Sequence, residues 1–228
     1  MAVTTDSVRP SRFRVDTIPA LLRPVSWVYG YGLGLTLFTY LLLQRLTIAV
    51  EVIGQENLDA DSNYIFCHWH GAVPLSLQGS APRFPSALRS RPHAWMQHPL
   101  WYMKPIHVLL RFIGVDKIVL GSTGHDGRLA ADELVGELQA GYSTVLLPDG
   151  PAGPPRVLKK GLLHIAAQSG VPIVPLRVTA SRRLELRSWD RKQLPVPFST
   201  IGIEIGTPIP VTEHTFEDAA GELTEALG

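Results

Sequence analysis

Two histidines one residue apart close an apolar run in NYIFCHWHGAVPLSLQ, residues 63–78, where His68 and His70 flank Trp69 and Gly71 follows. An imidazole with its ordinary pKa of about 6.5 can take a proton from a hydroxyl near neutral pH, and a positioned general base contributes about 10²- to 10⁴-fold. One histidine suffices for that chemistry. Residues i and i+2 share a face only if a strand continues through them, and Gly71 signals a turn instead. On these residues alone the pair is also open to a plainer role, capping the end of a strand. A metal site joining His68 and His70 to His93, His98 or His125 is a third reading, but no H-E-x-x-H or Cys/His spacing accompanies it, so no metal is expected.

A second constellation lies at residues 144–178, TVLLPDGPAGPPRVLKKGLLHIAAQSGVPIVPLRV. It reads as strand, proline-bounded turn, basic approach, helix and strand. Pro148, Asp149, Gly150 and Pro151 form a tight loop by composition. Lys159, Lys160 and Gly161 follow it at a helix start, where free backbone N–H groups and the helix dipole favour anions, so a phosphate-bearing ligand is plausible there.

The elements that must position these residues alternate along the chain. IAVEVIG alternates apolar and polar residues; YIFC, KIVL and TVLL are short apolar runs; PIVPLRV and IGIEIG resemble further strands. Between them lie helical patterns at 99–113, at 126–140 with Asp126 as a possible cap and Gly141 as the stop, and at 158–170 ending in Gly170. This alternation predicts an α/β fold with a mainly parallel central sheet flanked by helices. In such sheets ligands collect at the carboxyl ends of the strands, where both histidines fall.

Composition bounds the class. The 228 residues are 45% hydrophobic and 18% charged with formal net charge +1, enough for a buried core and too little positive charge to recruit nucleic acid. The one cysteine, Cys67, excludes an intramolecular disulfide framework and fits a reducing cytoplasm. Residues 25–43, VSWVYGYGLGLTLFTYLLL, carry no charge and lie between Arg23 and Arg45. The run is slightly short of the roughly 20 residues that cross a bilayer, and its tyrosines, threonines and Ser26 dilute its hydrophobicity. No cleavage site follows it, so a signal peptide is not expected. Arg9, Arg12, Arg14 and Arg23 precede it, against the positive-inside tendency for a span that leaves the main domain inside. A monotopic anchor lying in the interface is therefore preferred to a span, with a core helix packed through Gly30, Gly32 and Gly34 as the remaining alternative. Residues 1–45 are thus read as a basic segment and membrane-associating helix, and 46–228 as the main domain. The acidic C-terminal stretch, with Glu213, Glu217, Asp218, Glu222 and Glu225, reads as a solvated helix surface.

From about residue 50 to 210 the sequence resembles the lysophospholipid and glycerol-phosphate acyltransferase superfamily, and within it the small bacterial branch long carried as a domain of unknown function. The resemblance rests on EVIGQENL, WHG at 69–71, GST at 121–123, PDGPAGP at 148–154, LKKG at 158–161, GVPIVPL at 170–176 and SWDR at 188–191, in that order and spacing. It implies a membrane-binding helical element, an α/β acyltransferase domain, and transfer of a fatty acyl group from an acyl thioester to a lipid hydroxyl. It further implies His70 as general base acting without a covalent acyl-enzyme, with His68 secondary. Asp149 and Gly150 match the acceptor-binding motif. Gly71, Gly121, Ser122, Thr123, Pro151, Lys159, Lys160 and Gly161 complete the implied substrate-binding set. No bound cofactor is implied. The donor is an acyl-CoA or acyl carrier protein thioester, and the partners are membrane lipids.

The sequence departs from the superfamily at three points. The acidic residue usual five positions after the histidine is Leu75, or Val73 counted from His68, which leaves the group that orients His70 unidentified, with a backbone carbonyl, Asp149 and Asp126 as candidates. Two frequent arginines are replaced by Leu120 and Ala152, which weakens recognition of an acceptor phosphate. Basic residues elsewhere, Arg156, Arg182, Arg183, Arg187, Arg191 and Lys192 among them, remain available for coenzyme A phosphates or anionic headgroups, and Trp189 suits a membrane interface. These departures keep a catalytically inert lipid-binding protein as an alternative, with a histidine-dependent metallohydrolase behind it.

Overall fold

A computed structural model describes residues 14–79, 91–122 and 126–228. Thr123, His125, Arg9 and Arg12 lie outside the described residues.

Nine strands and six α-helices follow one another in these segments. The strands are β1 (Ala49–Ile53), β2 (Ile65–Cys67), β3 (Ala94–Gln97), β4 (Lys117–Leu120), β5 (Thr144–Leu146), β6 (Ile173–Ala180), β7 (Arg183–Glu185), β8 (Gln193–Pro195) and β9 (Thr200–Ile205). The helices are α1 (Arg23–Gln44), α2 (Val73–Gly79), α3 (Lys104–Phe112), α4 (Gly127–Gln139), α5 (Lys160–Ser169) and α6 (Phe216–Leu227). The central sheet runs β1-β9-β6-β2-β5, with every pairing parallel except β6 with β9. The parallel pair β3–β4 prolongs it beyond β5, through the bridge His93–Ser143 and the bond from the Ala94 N–H to the Ser143 carbonyl at 2.9 Å. The expected α/β architecture with a mainly parallel sheet is the one observed.

β2 sits in the middle of this sheet and is buried on both faces, which is why its sequence is a continuous apolar run. Ile65 and Cys67 join Leu134, Leu138, Leu163 and Ile173 in the core that α4, α5 and α6 cover. Phe66 points the other way, to Val174, Leu176 and Ile205. Gly141 and Gly170 take the left-handed conformation just past α4 and α5, as their positions in the sequence predict. Asp126 does precede α4 but makes no capping bond; its carboxylate instead pairs with Arg14, so the expected cap is corrected to an ion pair. The acidic C-terminal helix, α6, is solvated on one side only, since Ala219, Leu223 and Leu227 enter the core.

α1 packs along α3. A β-carbon on Gly34 would stand 2.8 Å from the Val108 side chain and 2.9 Å from the Pro105 carbonyl, and one on Gly30 would meet Lys104; Gly32 faces open space. Small residues four apart thus let the two helices approach closely. Leu37, Phe38 and Leu41 extend that contact, while Val25, Trp27, Val28, Tyr31, Leu33, Leu35, Tyr40, Leu42 and Leu43 are exposed. With its preceding 3₁₀ turn the helix spans Ala20–Gln44, 25 residues, long and apolar enough to cross a membrane. Trp101, Tyr102 and Phe112 add exposed aromatic surface beside it, through the ring contacts Tyr29–Trp101 and Phe38–Phe112.

Candidate active site

The chain leaves β2 at Cys67 and turns through a 3₁₀ segment, His70–Ala72, into α2. This puts His70 at the carboxyl end of a central strand. The loop that follows β5 fixes that turn: Asp149, 1% exposed, accepts the His70 backbone N–H on Oδ1 at 3.0 Å and the Arg156 N–H on Oδ2 at 3.2 Å. Asp149 therefore holds backbone rather than the imidazole.

The imidazole is held by Asp190. His70 Nδ1 lies 2.6 Å from Asp190 Oδ2, and the Asp190 side chain is fully buried while that of His70 is 21% exposed. Ser188 Oγ donates to Oδ1 at 2.6 Å, and Lys192 Nζ also bonds Oδ2. Burial pushes the Asp190 carboxyl up, but the bonds from Lys192, Ser188 and His70 outweigh it and hold the pKa down to about 2. A carboxylate ionised at neutral pH accepts the Nδ1 proton and leaves the Nε2 lone pair free to receive one. Trp189 packs against the same ring, with centroids 5.0 Å apart.

This corrects the expected source of orientation, which was a backbone carbonyl, Asp149 or Asp126. Asp126 is engaged by Arg14 and Asp149 by two amides. The physical reason is in α2. Leu75, at the usual acidic position, is fully buried beside Ile48, Ala180, Ile201 and Ile203, where a carboxylate would be an unpaired charge in an apolar cluster. SWDR was visible as a motif, but its aspartate is 120 residues from His70 and only the returning chain shows what it touches.

His68 is 3% exposed, its Nδ1 lies 3.0 Å from the Trp69 carbonyl, and burial lowers its pKa to about 4, so it stays neutral. Gly150 carries a positive φ of 66°, and a β-carbon there would be 3.0 Å from Lys159 Nζ, which brings Lys159 to this loop with Pro151. Lys160 instead pairs with Glu217 at 3.1 Å, both side chains well exposed. Gly161, in the first turn of α5, has open space around it. Gly71 is buried beneath the Asp190 backbone. Gly121 and Ser122 follow β4, and the buried Ser122 hydroxyl has no hydrogen-bond partner among the described residues. No three His, Cys, Asp or Glu side chains among the described residues converge as a ligand set for a metal. Cys67 is fully buried, which raises its thiol pKa and withholds the thiolate that a nucleophile needs.

No family model matches the sequence. A protein of Rickettsia prowazekii (strain Madrid E), named Uncharacterized protein RP090, is 27% identical over 197 residues, covering 83% of this chain and 86% of the relative. Among solved structures, the crystal structure of the 1-acyl-sn-glycerophosphate (LPA) acyltransferase PlsC from Thermotoga maritima is similar with a TM-score of 0.52 at 20% identity, covering 86% of this chain and 75% of that one. The chain thus has the α/β fold of that acyltransferase, with a mainly parallel sheet, flanking helices and an N-terminal apolar helix.

Proposed function

We propose that the protein is an O-acyltransferase that moves a fatty acyl group from an acyl thioester, of coenzyme A or of an acyl carrier protein, to a hydroxyl of a lysophospholipid or related lipid. The observation that carries this reading is the 2.6 Å contact of His70 with Asp190 at the carboxyl end of β2. His70 Nε2 takes the proton of the acceptor hydroxyl as its oxygen attacks the thioester carbonyl carbon. The C–S bond then breaks, and the departing thiolate receives that proton from the imidazolium. Asp190 stabilises the imidazolium in between and fixes the tautomer, a role whose loss costs about 10⁴-fold in a serine-protease triad. Hydrogen-bond donors at the developing oxyanion would add about 10²- to 10³-fold each.

The inert lipid-binding alternative rests on a missing carboxylate and on the two arginines replaced by Leu120 and Ala152. Asp190 supplies the carboxylate and removes the first ground, and acyl transfer is the better account of a buried, three-times-bonded aspartate aimed at a half-buried imidazole. The exposed apolar side of α1, with Trp27 stacked on Tyr31 at 4.6 Å, supports attachment to a membrane, the helix lying in the interface beside the aromatic residues of 101–112; the face proposed is the cytoplasmic one.

The test is mass-spectrometric detection of a new acylated lipid when detergent-solubilised protein meets mixed acyl thioesters and a bacterial lipid extract. Product with wild type and none with His70→Ala supports the reading. A folded preparation that binds acylated lipids and yields no product with any donor sinks it in favour of the inert binder.

A further inference from the structure

Asp190 has a second neighbourhood. It lines a cavity of about 400 Å³ whose wall is built from residues 176–179 of β6, the β7–β8 ribbon, the loop at Arg156, the chain on either side of His70 and the end of α6, with His70 itself off the wall. Four arginines line it: Arg156, Arg177, Arg183 and Arg191. The carboxylates nearby are already committed. Asp149 is taken by two amides, Asp190 by Ser188, His70 and Lys192, and Glu185 lies 4.0 Å from Arg191. Among the described residues Arg156, Arg177 and Arg183 form no ion pair; Glu204 stands opposite Arg177 in the strand register without reaching it. With Arg191 facing Glu185 and Lys192 facing Asp190, the three remaining arginines outnumber the one side-chain carboxylate left on the wall, Asp149, and an incoming anion relieves their mutual repulsion.

The backbone points the same way. Four non-glycine residues among those described have positive φ, and two of them, Arg156 at 58° and Arg191 at 49°, are on this wall. Such conformations persist only where the surroundings over-determine them, and they gather at ligand clamps. Neither arginine occupies a position where the resemblance places a phosphate-binding residue, and the two positions that usually do so are Leu120 and Ala152.

We propose that this cavity binds a phosphate group of one of the two substrates, an inference that rests on the acyltransferase reading for what those substrates are. Several guanidinium forks suit a group with two or more negative charges and oxygens on several sides, which a phosphate monoester has. The phosphate can arrive on the acceptor headgroup or on the nucleotide end of coenzyme A.

The two sources are separated by calorimetric titration of the full chain in neutral detergent, with glycerol 3-phosphate in one arm and coenzyme A in the other. In wild type one probe binds, and Arg177→Gln with Arg183→Gln weakens it by about tenfold or more, the loss expected for charge-assisted bonds. The corresponding double lysine variant recovers part of the affinity, and Arg128→Gln, on the exposed side of α4, leaves it unchanged. If the double variant does not fold, Arg183→Gln alone carries the comparison. Loss in the first arm assigns the acceptor phosphate and loss in the second the donor. No binding of either probe to wild type at millimolar concentration, or equal binding by the glutamine variants, overturns the site. Because binding is read without turnover, a chain that binds a probe but transfers no acyl group keeps the site and loses the acyltransferase reading.

Discussion

Gly71 lies directly beneath the Asp190 backbone: a β-carbon at residue 71 would stand 2.3 Å from the Asp190 carbonyl oxygen. The glycine after the histidine is therefore the seat of the loop that carries the orienting carboxylate. Gly71→Ala must push residues 190 and 191 away and open the 2.6 Å contact at His70. We expect kcat for acyl transfer to fall at least about tenfold, with a loss of stability of about 1–3 kcal/mol from overpacking. Wild-type kcat in Gly71→Ala would show that the loop needs no such seat.

Asp190→Asn keeps the size of the side chain and removes its charge. By analogy with the triad aspartate, kcat should drop by about 10³- to 10⁴-fold, since the amide can present a donor to Nδ1 and hold the wrong tautomer. Adding His70→Ala to it should lower the rate little further, because the two act as one unit. Independent, multiplying effects of the two substitutions would separate Asp190 from His70 in function.

Leu75→Asp restores the acidic residue usual at that position in the resembling superfamily. In this fold it places an unpaired charge in the cluster of Ile48, Ala180, Ile201 and Ile203, so we expect destabilisation by more than about 3 kcal/mol in urea melts and no gain in kcat. Recovery of activity in Leu75→Asp/Asp190→Asn would mean that α2 can present the carboxylate after all.

The acid dependence of stability follows from two groups. The Asp190 pKa is depressed to about 2 from 3.8, so its contribution is complete above pH 4 and disappears as pH falls through 2; at about 1.4 kcal/mol per unit it amounts to about 2–3 kcal/mol. His68 is depressed to about 4 from 6.5, so the unfolded chain takes up a proton between pH 6.5 and 4 that the native state refuses, and stability declines across that window. Urea midpoints of wild type measured from pH 7 to 2, beside Asp190→Asn and His68→Gln, should show the first variant flatter below pH 4 and the second flatter between 6.5 and 4. Parallel curves for all three would contradict both assignments.

Trp27 and Tyr31 are exposed on α1 and stack on each other at 4.6 Å. Charging that face with Trp27→Glu and Val28→Glu should lower partition onto vesicles of phosphatidylglycerol and phosphatidylethanolamine at least about tenfold while leaving the melting temperature within a few degrees, since neither side chain enters the core. Vesicle binding that survives the double substitution would place the membrane contact elsewhere.

The central strands and their helices were legible because burial writes itself into sequence. β2 reads as a run of apolar residues since both its faces are covered, and α4 and α5 announce their ends with glycines that must take positive φ. His70 was legible for a related reason, as a polar residue at the exit of a buried strand. The β7–β8 ribbon went unread, because each strand is only three residues long and β7 is exposed throughout, which leaves no periodic apolar face to recognise. The pairing of α1 with α3 was half legible: Gly30, Gly32 and Gly34 marked a close approach, and only the neighbouring helix decided that 30 and 34 face it and 32 does not.

The sequence by itself determined six of the nine strands and the helices between them, missing β3, β7, β8 and α2, as well as the turn at His70 and the absence of a carboxylate at residue 75. Only the tertiary structure decided that Asp190 fills that absence, that Asp149 holds backbone amides, and that four arginines from separate elements share one cavity. Local pattern records whether a side chain is buried and how the backbone must bend. Which two side chains meet across 120 residues depends on where the intervening chain returns, and no window of sequence contains that distance.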